Sequence, residues 1–271
     1  MTERVPIIKP FANAAISGLF GIALCRTLFC QISDLAAFDT SSINMKFGFL
    51  SLSLTATGES KSFAVGHFAL GYIVAKALGK PLKIDLNIPM VLTLSILPDV
   101  DIIMEQLFPA LYHRGPTHSI IVAFLFFVPV FAVYKKTAVP YFAALIQHSL
   151  VGDYIVGGKV QLLWPLLSQG YGISWLDVRS PTNIVIEWSI FLAATSIMLK
   201  SRDIFKLLRS DKTNFILAIP TITVLLPTFL SFPMREPAWL IPPHLFYLVI
   251  FSASIIISLR GWLRNLISQR S

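Results

Sequence analysis

Histidines and aspartates stand at several points where apolar stretches of this sequence begin or end. His67 lies early in one apolar stretch, and Asp99 and Asp101 lie near the end of another. His113 and His118 occupy a short polar turn before a third stretch. Imidazole nitrogens and carboxylate oxygens together are typical ligands of Zn²⁺ and related divalent ions. If the stretches converge, the sequence therefore predicts a divalent metal site.

The acidic pair lies in the segment Leu97-Pro98-Asp99-Val100-Asp101, whose proline predicts a break in helical structure. On a regular helix Asp99 and Asp101 would point about 200° apart and would not share a metal. In an extended or turn segment they share a side. Either both coordinate from non-helical backbone, or one binds while the other caps the next helix. Asp99 as a simple N-cap is the structural alternative.

The turn His113-Arg114-Gly115-Pro116-Thr117-His118 is punctuated by Gly-Pro. Two histidines on a short rigid turn can converge on one cation. Thr117 is predicted to cap the helix that follows. Arg114 suits a phosphate ligand, which guanidinium binds in bidentate fashion. The alternative is a pair of interfacial histidines beside an ordinary flanking arginine.

His148 and Asp153 lie five positions apart on one predicted helix. In regular α geometry these side chains point about 140° apart, which would prevent a shared site. A π-turn, favoured by Gly152, would bring them toward one side. The sequence therefore predicts a helix distortion between His148 and Asp153.

Three further polar residues are predicted to lie on the same side of the protein as the histidines and aspartates above. Asn183 and Glu187 form an i,i+4 pair on one helix face. Glu187 is a candidate ligand, a group that orients a ligand, or a helix-packing group. His244 follows two prolines and is predicted to be interfacial, not a ligand.

The amino-acid composition indicates what kind of helices carry these histidines and carboxylates. Of the 271 residues, 55% are apolar and only 13% are charged, against about 25% charged in soluble domains. This excludes disordered and ordinary soluble proteins. The prediction is an all-α, multi-pass membrane bundle of about seven apolar helices, some of them short or half-embedded. They are expected near Phe63–Gly79, Asn87–Ile103, Ser119–Tyr134, Ala138–Ile155, Asn183–Leu199, Asn214–Phe232 and Ile241–Leu259.

The net charge of +8 is best explained by membrane orientation, because the basic residues lie mostly between apolar stretches. No nucleic-acid partner is expected. Alternating crossings place thirteen basic residues on one face, which the positive-inside rule makes cytoplasmic. Five basic residues and all the histidines fall toward the other face. The predicted protein is therefore a cell-membrane protein with its metal site toward the outer face.

Three parts are expected along the chain. Residues 1–62 form an extension that is poorly ordered or lies on a surface, residues 63–182 the metal-site membrane domain, and residues 183–271 the C-terminal transmembrane helices and basic tail. Two alternatives for the extension are a signal-like segment and a start of translation at Met45, which would leave the first 44 residues untranslated. The sequence has no P-loop, dinucleotide-binding or G-x-S-x-G motif.

Several of these motifs occur together in a known family. Gly66-His67, the Leu97–Asp101 segment, the His113–Ser119 turn, His148 with Asp153, and Leu162-Leu163-Trp164-Pro165-Leu166 follow one another in that order. This set resembles the membrane-bound, YdjM-like metal-dependent hydrolases over residues 63–168. The family is thought to be distantly similar to zinc-dependent phospholipase C and P1 nuclease, which are all-helical phosphoesterases. Here His148 and Asp153 are five positions apart, where the family pattern has four.

The resemblance implies metal ligands and a reaction class. His67, Asp99, His113, His118 and His148 would be ligands, and Asp101 and Asp153 ligands or supports; our site prediction counts Asp153 among the ligands. Asp101 is the candidate general base and Arg114 the candidate phosphate contact, while Thr117, Asn183 and Glu187 are candidate supporting residues.

The expected function is metal-dependent hydrolysis of a phosphoester or phospholipid-like substrate. Zn²⁺ is the expected ion, with Mn²⁺ or Fe²⁺ as alternatives. The other functions considered are a non-catalytic metal-binding structural protein and a transporter of a metal or small solute. The one-sided distribution of the polar groups weighs against a transporter, whose sites usually lie near the middle of the bilayer.

Overall fold

The computed structural model describes residues 63–107, 113–173, 176–230 and 237–269. The predictions for residues 1–62, including the signal-like segment and the start at Met45, lie outside this part of the chain.

Helices account for most of the described residues, and each begins close to an end of a predicted apolar stretch. In chain order they are α1 (Ala64–Gly79), α2 (Ile88–Ile96), α3 (Asp101–Leu107), α4 (Ile120–Tyr134), α5 (Val139–Gln147), α6 (Pro181–Lys200), α7 (Asp203–Leu207), α8 (Lys212–Leu230, with 3₁₀ and π turns) and α9 (Ile241–Ser268). Extended pairing in the described residues is limited to two isolated bridges, Val156 with Leu176 and Val160 with Tyr171. The predicted all-α bundle is confirmed.

Helix α1 forms the centre of the bundle and packs against α2, α5, α6 and α9. Phe68 and Tyr72 are fully buried, and Phe68 contacts the rings of Tyr247 and Phe251 on α9. Gly71 allows the close crossing with α2, since a Cβ atom there would overlap the side chain of Ser95. Small residues at such crossings let helix backbones approach closely. The apolar composition of α1 on all sides follows from this burial.

Helices α4 and α5 form a hairpin in place of one long span. The ring of Phe142 on α5 lies 6.2 Å from that of Phe124 and 5.2 Å from that of Phe127. In a continuous helix, residues 18 positions apart would be about 27 Å apart. The chain reverses at the 3₁₀ turn Lys135–Ala138, where Lys135 has a positive φ of 49°.

Within the described residues, four helical segments are long and apolar enough to cross a membrane. They are Ile120–Asp153, Pro181–Lys200, Lys212–Leu230 and Ala238–Ser268. The first contains the hairpin, so its two arms are each shorter than the ~20 residues that a straight crossing needs. Helix α1, with 16 residues, is also short, as its sequence suggested.

An ion-pair network ties α1 to α7 at the end of the bundle where the basic residues gather. The buried carboxylate of Asp203 accepts hydrogen bonds from Lys76 at 2.5 Å, Tyr72 at 2.8 Å and Ser201 at 2.7 Å. Burial disfavours ionisation of Asp203, but these donors outweigh it and hold the pKa of the carboxyl below its ordinary value. The network joins residues about 130 positions apart, so it fixes how α1 and α7 meet.

Replacing Asp203 with alanine should destabilise the fold by about 3 kcal/mol, because it leaves Lys76 facing a partly buried site without its partner. Unfolding of the detergent-solubilised protein would measure this. Asp85→Ala is the matched control: its side chain is 91% exposed in its pair with Lys206, so the change should cost less than about 1 kcal/mol.

The pH dependence adds a second test of the same group. A carboxyl whose pKa is depressed in the folded state contributes stability above its unfolded pKa, near 4, and the contribution is lost as the pH falls. The wild-type protein should therefore lose more stability below about pH 4 than Asp203→Ala does. Equal losses in the two proteins would contradict this assignment.

Candidate metal centre

Three helix ends bring four of the predicted polar residues to one buried location. Asp99 lies in the 3₁₀ turn Leu97–Val100 that follows α2, and His118 in the 3₁₀ turn Pro116–His118 that precedes α4. His148 and Asp153 bound a π-helical turn that continues α5. All four residues are at most 2% exposed. Each supplies one ligand atom, and these atoms all lie within 4.8 Å of one another. They are called the four-residue cluster below.

The four histidine–aspartate distances between the ligand atoms match those of a tetrahedral metal site. Nε2 of His118 lies 3.4 Å from Oδ1 of Asp99 and 3.2 Å from Oδ2 of Asp153. Nε2 of His148 lies 3.2 Å and 3.3 Å from the same two oxygens. Four ligands at ~2.0 Å from a tetrahedral ion would be separated by about 3.3 Å. The donor set of two imidazoles and two carboxylates therefore fits a Zn²⁺-like ion.

The π-turn His148–Asp153 is the predicted helix distortion, and it is confirmed. Hydrogen bonds from i to i+5 bring residues five positions apart to the same side. The turn thus lets His148 and Asp153 share the cluster, although regular α geometry would separate them.

The two aspartates of the Leu97–Asp101 segment contact opposite nitrogens of one imidazole. Asp99 faces Nε2 of His118, whereas Oδ2 of Asp101 lies 3.1 Å from Nδ1 of the same ring. Neither sequence alternative describes this arrangement fully, because both aspartates reach the site yet on different sides of His118. A carboxylate behind a histidine fixes the ring and directs its other nitrogen at a metal.

Thr117 supports this contact and is not the predicted helix cap. Its hydroxyl donates to Oδ2 of Asp101 at 2.6 Å and lies 3.0 Å from Nδ1 of His118. The cap of α4 is Ser119, whose hydroxyl accepts from the backbone N–H of Val122. The N-cap prediction for Thr117 was wrong because the 3₁₀ turn Pro116–His118 delays the start of the helix by two residues.

The orientation of His148 is fixed by the backbone of α2. Nδ1 of His148 lies 3.0 Å from the carbonyl oxygen of Ser95. An imidazole that donates from Nδ1 to a carbonyl has its lone pair on Nε2. That nitrogen is the one that faces Asp99 and Asp153, as a metal ligand would require.

Arg114 holds the carboxylate of Asp153 from behind. Its guanidinium donates to Oδ1 of Asp153 at 3.2 Å and to the carbonyl oxygen of Gly157. Gly157 and Gly158 have positive φ, and a Cβ atom on Gly157 would overlap the guanidinium. These contacts leave Oδ2 of Asp153 directed at the two histidines.

His67 lies against the cluster without contributing to its four ligand atoms. Its ring stacks on that of His148 with centroids 3.9 Å apart. A Cβ atom on Gly152 would overlap the His67 ring, and one on Gly66 would overlap the carboxylate of Glu187. Both glycines are therefore required for close packing at the site, and Glu187 lies next to the start of α1.

His113 belongs to a second, adjoining group with Asp101 and His118. Its Nδ1 lies 3.0 Å from Oδ1 of Asp101 and 3.9 Å from Oδ1 of Asp99. Within the described part of the chain, its buried Nε2 has no hydrogen-bonding partner. His113 is thus a ring beside the four-residue cluster with one nitrogen available.

Two further polar residues make contacts outside the four-residue cluster. The Asn183 side chain donates to the carbonyl oxygen of Val178, which stabilises the start of α6. His244 is buried among α8 and α9, where its Nε2 lies 3.4 Å from the carbonyl oxygen of Leu225. Sequence reasoning missed Ser95 and Gly157, which contribute through backbone carbonyls, because such contacts leave no signal in side-chain type.

The electrostatics of the site favour a cation. Burial alone would lower the pKa of His118, but the carboxylates of Asp101, Asp153 and Asp99 outweigh burial and raise the pKa of this imidazole well above its ordinary value. Three carboxylates thus surround one ring. A divalent ion bound beside these carboxylates would compete with the proton on His118.

The fold and the site together define an all-α membrane protein with a buried histidine–aspartate site that could hold a metal ion. The family model of the YdjM inner membrane protein matches residues 63–254. The chain belongs to this family, as its motifs suggested. Comparisons with curated proteins and with solved structures found no match.

Proposed function

We propose that this protein is a membrane-bound, metal-dependent hydrolase that cleaves a phosphoester or lipid headgroup bond. The observation that carries the proposal is the four-residue cluster, whose ligand atoms are 3.2–3.4 Å apart across each histidine–aspartate contact. Zn²⁺ suits this donor set best, and Mn²⁺ or Fe²⁺ are the alternatives.

The four residues of the cluster would hold the cation, namely Asp99, His118, His148 and Asp153. When bound, such an ion acts as a Lewis acid on a phosphoryl oxygen and lowers the pKa of water toward neutrality. The surrounding side chains would keep the ligands in place: Asp101 behind His118, and Arg114 behind Asp153.

His113 is our candidate for proton transfer. Asp101, the residue that the sequence suggested as general base, already contacts His113, Thr117 and His118 through its two oxygens. Its contacts favour a positioning role. His113 has Nδ1 held by Asp101 and Nε2 available, which is the arrangement of an oriented acid–base histidine. A direct phosphate contact by Arg114 remains a prediction.

In the membrane, we propose that the basic loops face the cytoplasm and the metal centre the opposite side. Lys76, Asp85, Asp203 and Lys206 come together at one end of the bundle. The cluster lies where α1 begins and α2 and α5 end, which is the other end. The positive-inside rule then assigns the basic end to the cytoplasm.

Hydrolysis by the purified full-length protein in lipid nanodiscs tests the proposal. We expect headgroup or phosphate release from labelled phospholipids, or cleavage of a soluble aryl phosphodiester, to stop with a chelator and return with one divalent metal. His244→Gln, outside the site, should retain the activity, and Asp153→Asn should lack it.

Two outcomes would contradict the hydrolase proposal. Stoichiometric metal binding without turnover on either substrate would support a structural metal site. Metal-dependent uptake of solute into proteoliposomes, again without hydrolysis, would support a transporter.

A further inference from the structure

An exposed apolar segment lies beside the metal centre. It comprises residues 162–167 (Leu-Leu-Trp-Pro-Leu-Leu) and is called the leucine segment below. Leu166 is 77% exposed, Leu167 49% and Leu163 38%. The chain carries no Asp, Glu, Lys or Arg between residues 160 and 176. An apolar, uncharged and exposed loop of this kind is typical of a surface that contacts another apolar phase.

The leucine segment is attached directly to the turn that carries His118. The hydroxyl of Ser119 donates to the carbonyl oxygen of Trp164 at 2.6 Å, and the backbone N–H of Ile120 donates to that of Leu162 at 3.0 Å. The N–H of Gln161 donates to the carbonyl oxygen of Arg114 at 3.1 Å. The position of the segment is therefore fixed relative to the cluster.

The leucine segment is also hydrogen-bonded to the start of a candidate membrane segment. Helix α4 begins at the two residues that bind the segment, and Phe124, Leu125 and Phe126 on it are 52–60% exposed. In a membrane protein, a face of this composition contacts lipid. Exposed apolar side chains thus lie both on α4 and on the segment that is hydrogen-bonded to its start.

We propose that the leucine segment inserts into the lipid–water boundary, and that the metal centre consequently takes its substrate from the bilayer. The substrate class is a phosphoester whose apolar part stays in the membrane. This inference rests on the proposed hydrolase function for the substrate, but the insertion of the segment stands independently of it. Trp164 at the boundary fits this position, because tryptophan prefers the interface.

The depth of the segment can be measured without any activity. A single cysteine at Leu166→Cys, in a Cys25→Ser/Cys30→Ser background, would carry an environment-sensitive fluorophore in phosphatidylcholine vesicles. Gln169→Cys, exposed and three residues away, is the matched control. We expect spin-labelled lipids to quench the probe at 166 several-fold more than at 169, and aqueous iodide to show the reverse.

Equal iodide quenching at both positions would overturn the insertion. Lipid-independent shielding of the probe at 166 that grows with protein concentration would also overturn it, in favour of contact with a second copy.

The substrate is tested with Leu166→Asp/Leu167→Asp against Gln169→Asp. We expect the double variant to lose about tenfold in hydrolysis of vesicle phospholipid, because interfacial charges disfavour insertion. Its cleavage of a soluble aryl phosphodiester and its metal content should stay unchanged. An equal loss on both substrates would overturn the delivery of substrate from the bilayer. If the wild type hydrolyses neither substrate, the hydrolase proposal fails, while the quenching result still decides the position of the segment.

Discussion

His118→Ala should reduce the affinity of the protein for divalent metal by more than about 100-fold, beyond the usual cost of losing a supporting residue. The substitution removes Nε2, which faces Asp99 and Asp153, and also Nδ1, which faces Asp101. Three buried carboxylates would then lose the imidazole between them. Without this imidazole, the three carboxylates would bind a cation poorly, because the ring would no longer fix the positions of their oxygens.

Metal analysis and isothermal titration of the detergent-solubilised protein would measure the change. His244→Gln is the control, because His244 is equally buried but lies between α8 and α9. Asp101→Asn retains the cluster and weakens the contacts of Asp101 with His113, Thr117 and His118. It should cost about 10–100-fold. Metal content in His118→Ala equal to that of the wild type would show that the cluster is not the metal site.

Gly152→Ala should disrupt the same site by a steric route. The new Cβ would overlap the ring of His67, which stacks on His148. Overpacking of a well-packed interior costs about 1–3 kcal/mol, and here the displaced ring contacts a ligand. We expect lower unfolding stability together with weakened metal binding, measured as a shift of the denaturation midpoint and of the binding constant.

A double-mutant cycle distinguishes this overlap from a general effect of the substitution on the helix. In His67→Ala/Gly152→Ala the space for the new methyl group is restored, so the double variant should be more stable than the sum of the two single changes predicts. Additive losses would indicate that Gly152 matters for the π-turn itself and not for the contact with His67.

Much of the fold could be predicted because its cause is local. Long apolar stretches predict helices, and the helices occur where they were expected. Pro98 predicted a break after α2, where the structure has the 3₁₀ turn Leu97–Val100. The spacing of His148 and Asp153, with Gly152 between them, predicted the π-turn.

Other features depended on contacts between distant parts of the chain. The hairpin of α4 and α5 is stabilised by rings that meet across the turn, such as Phe127 and Phe142. Sequence hydropathy reports how apolar each arm is, but it does not report how the arms pack. The same holds for the cap at Ser119, whose hydroxyl also bonds the carbonyl oxygen of Trp164, 45 positions away.

The sequence by itself determined which chemical groups are present: apolar helices, a set of histidines and aspartates that could bind a metal, and the motifs of the family to which the chain belongs. Only the tertiary structure decided the roles within that set. It separated His67, which stacks, from His148, which contributes a nitrogen to the cluster, and it turned Arg114 toward Asp153. The physical reason is that residue type fixes which atoms can bind a cation, whereas the direction of each ligand atom depends on hydrogen bonds from backbone and side chains far away in the sequence.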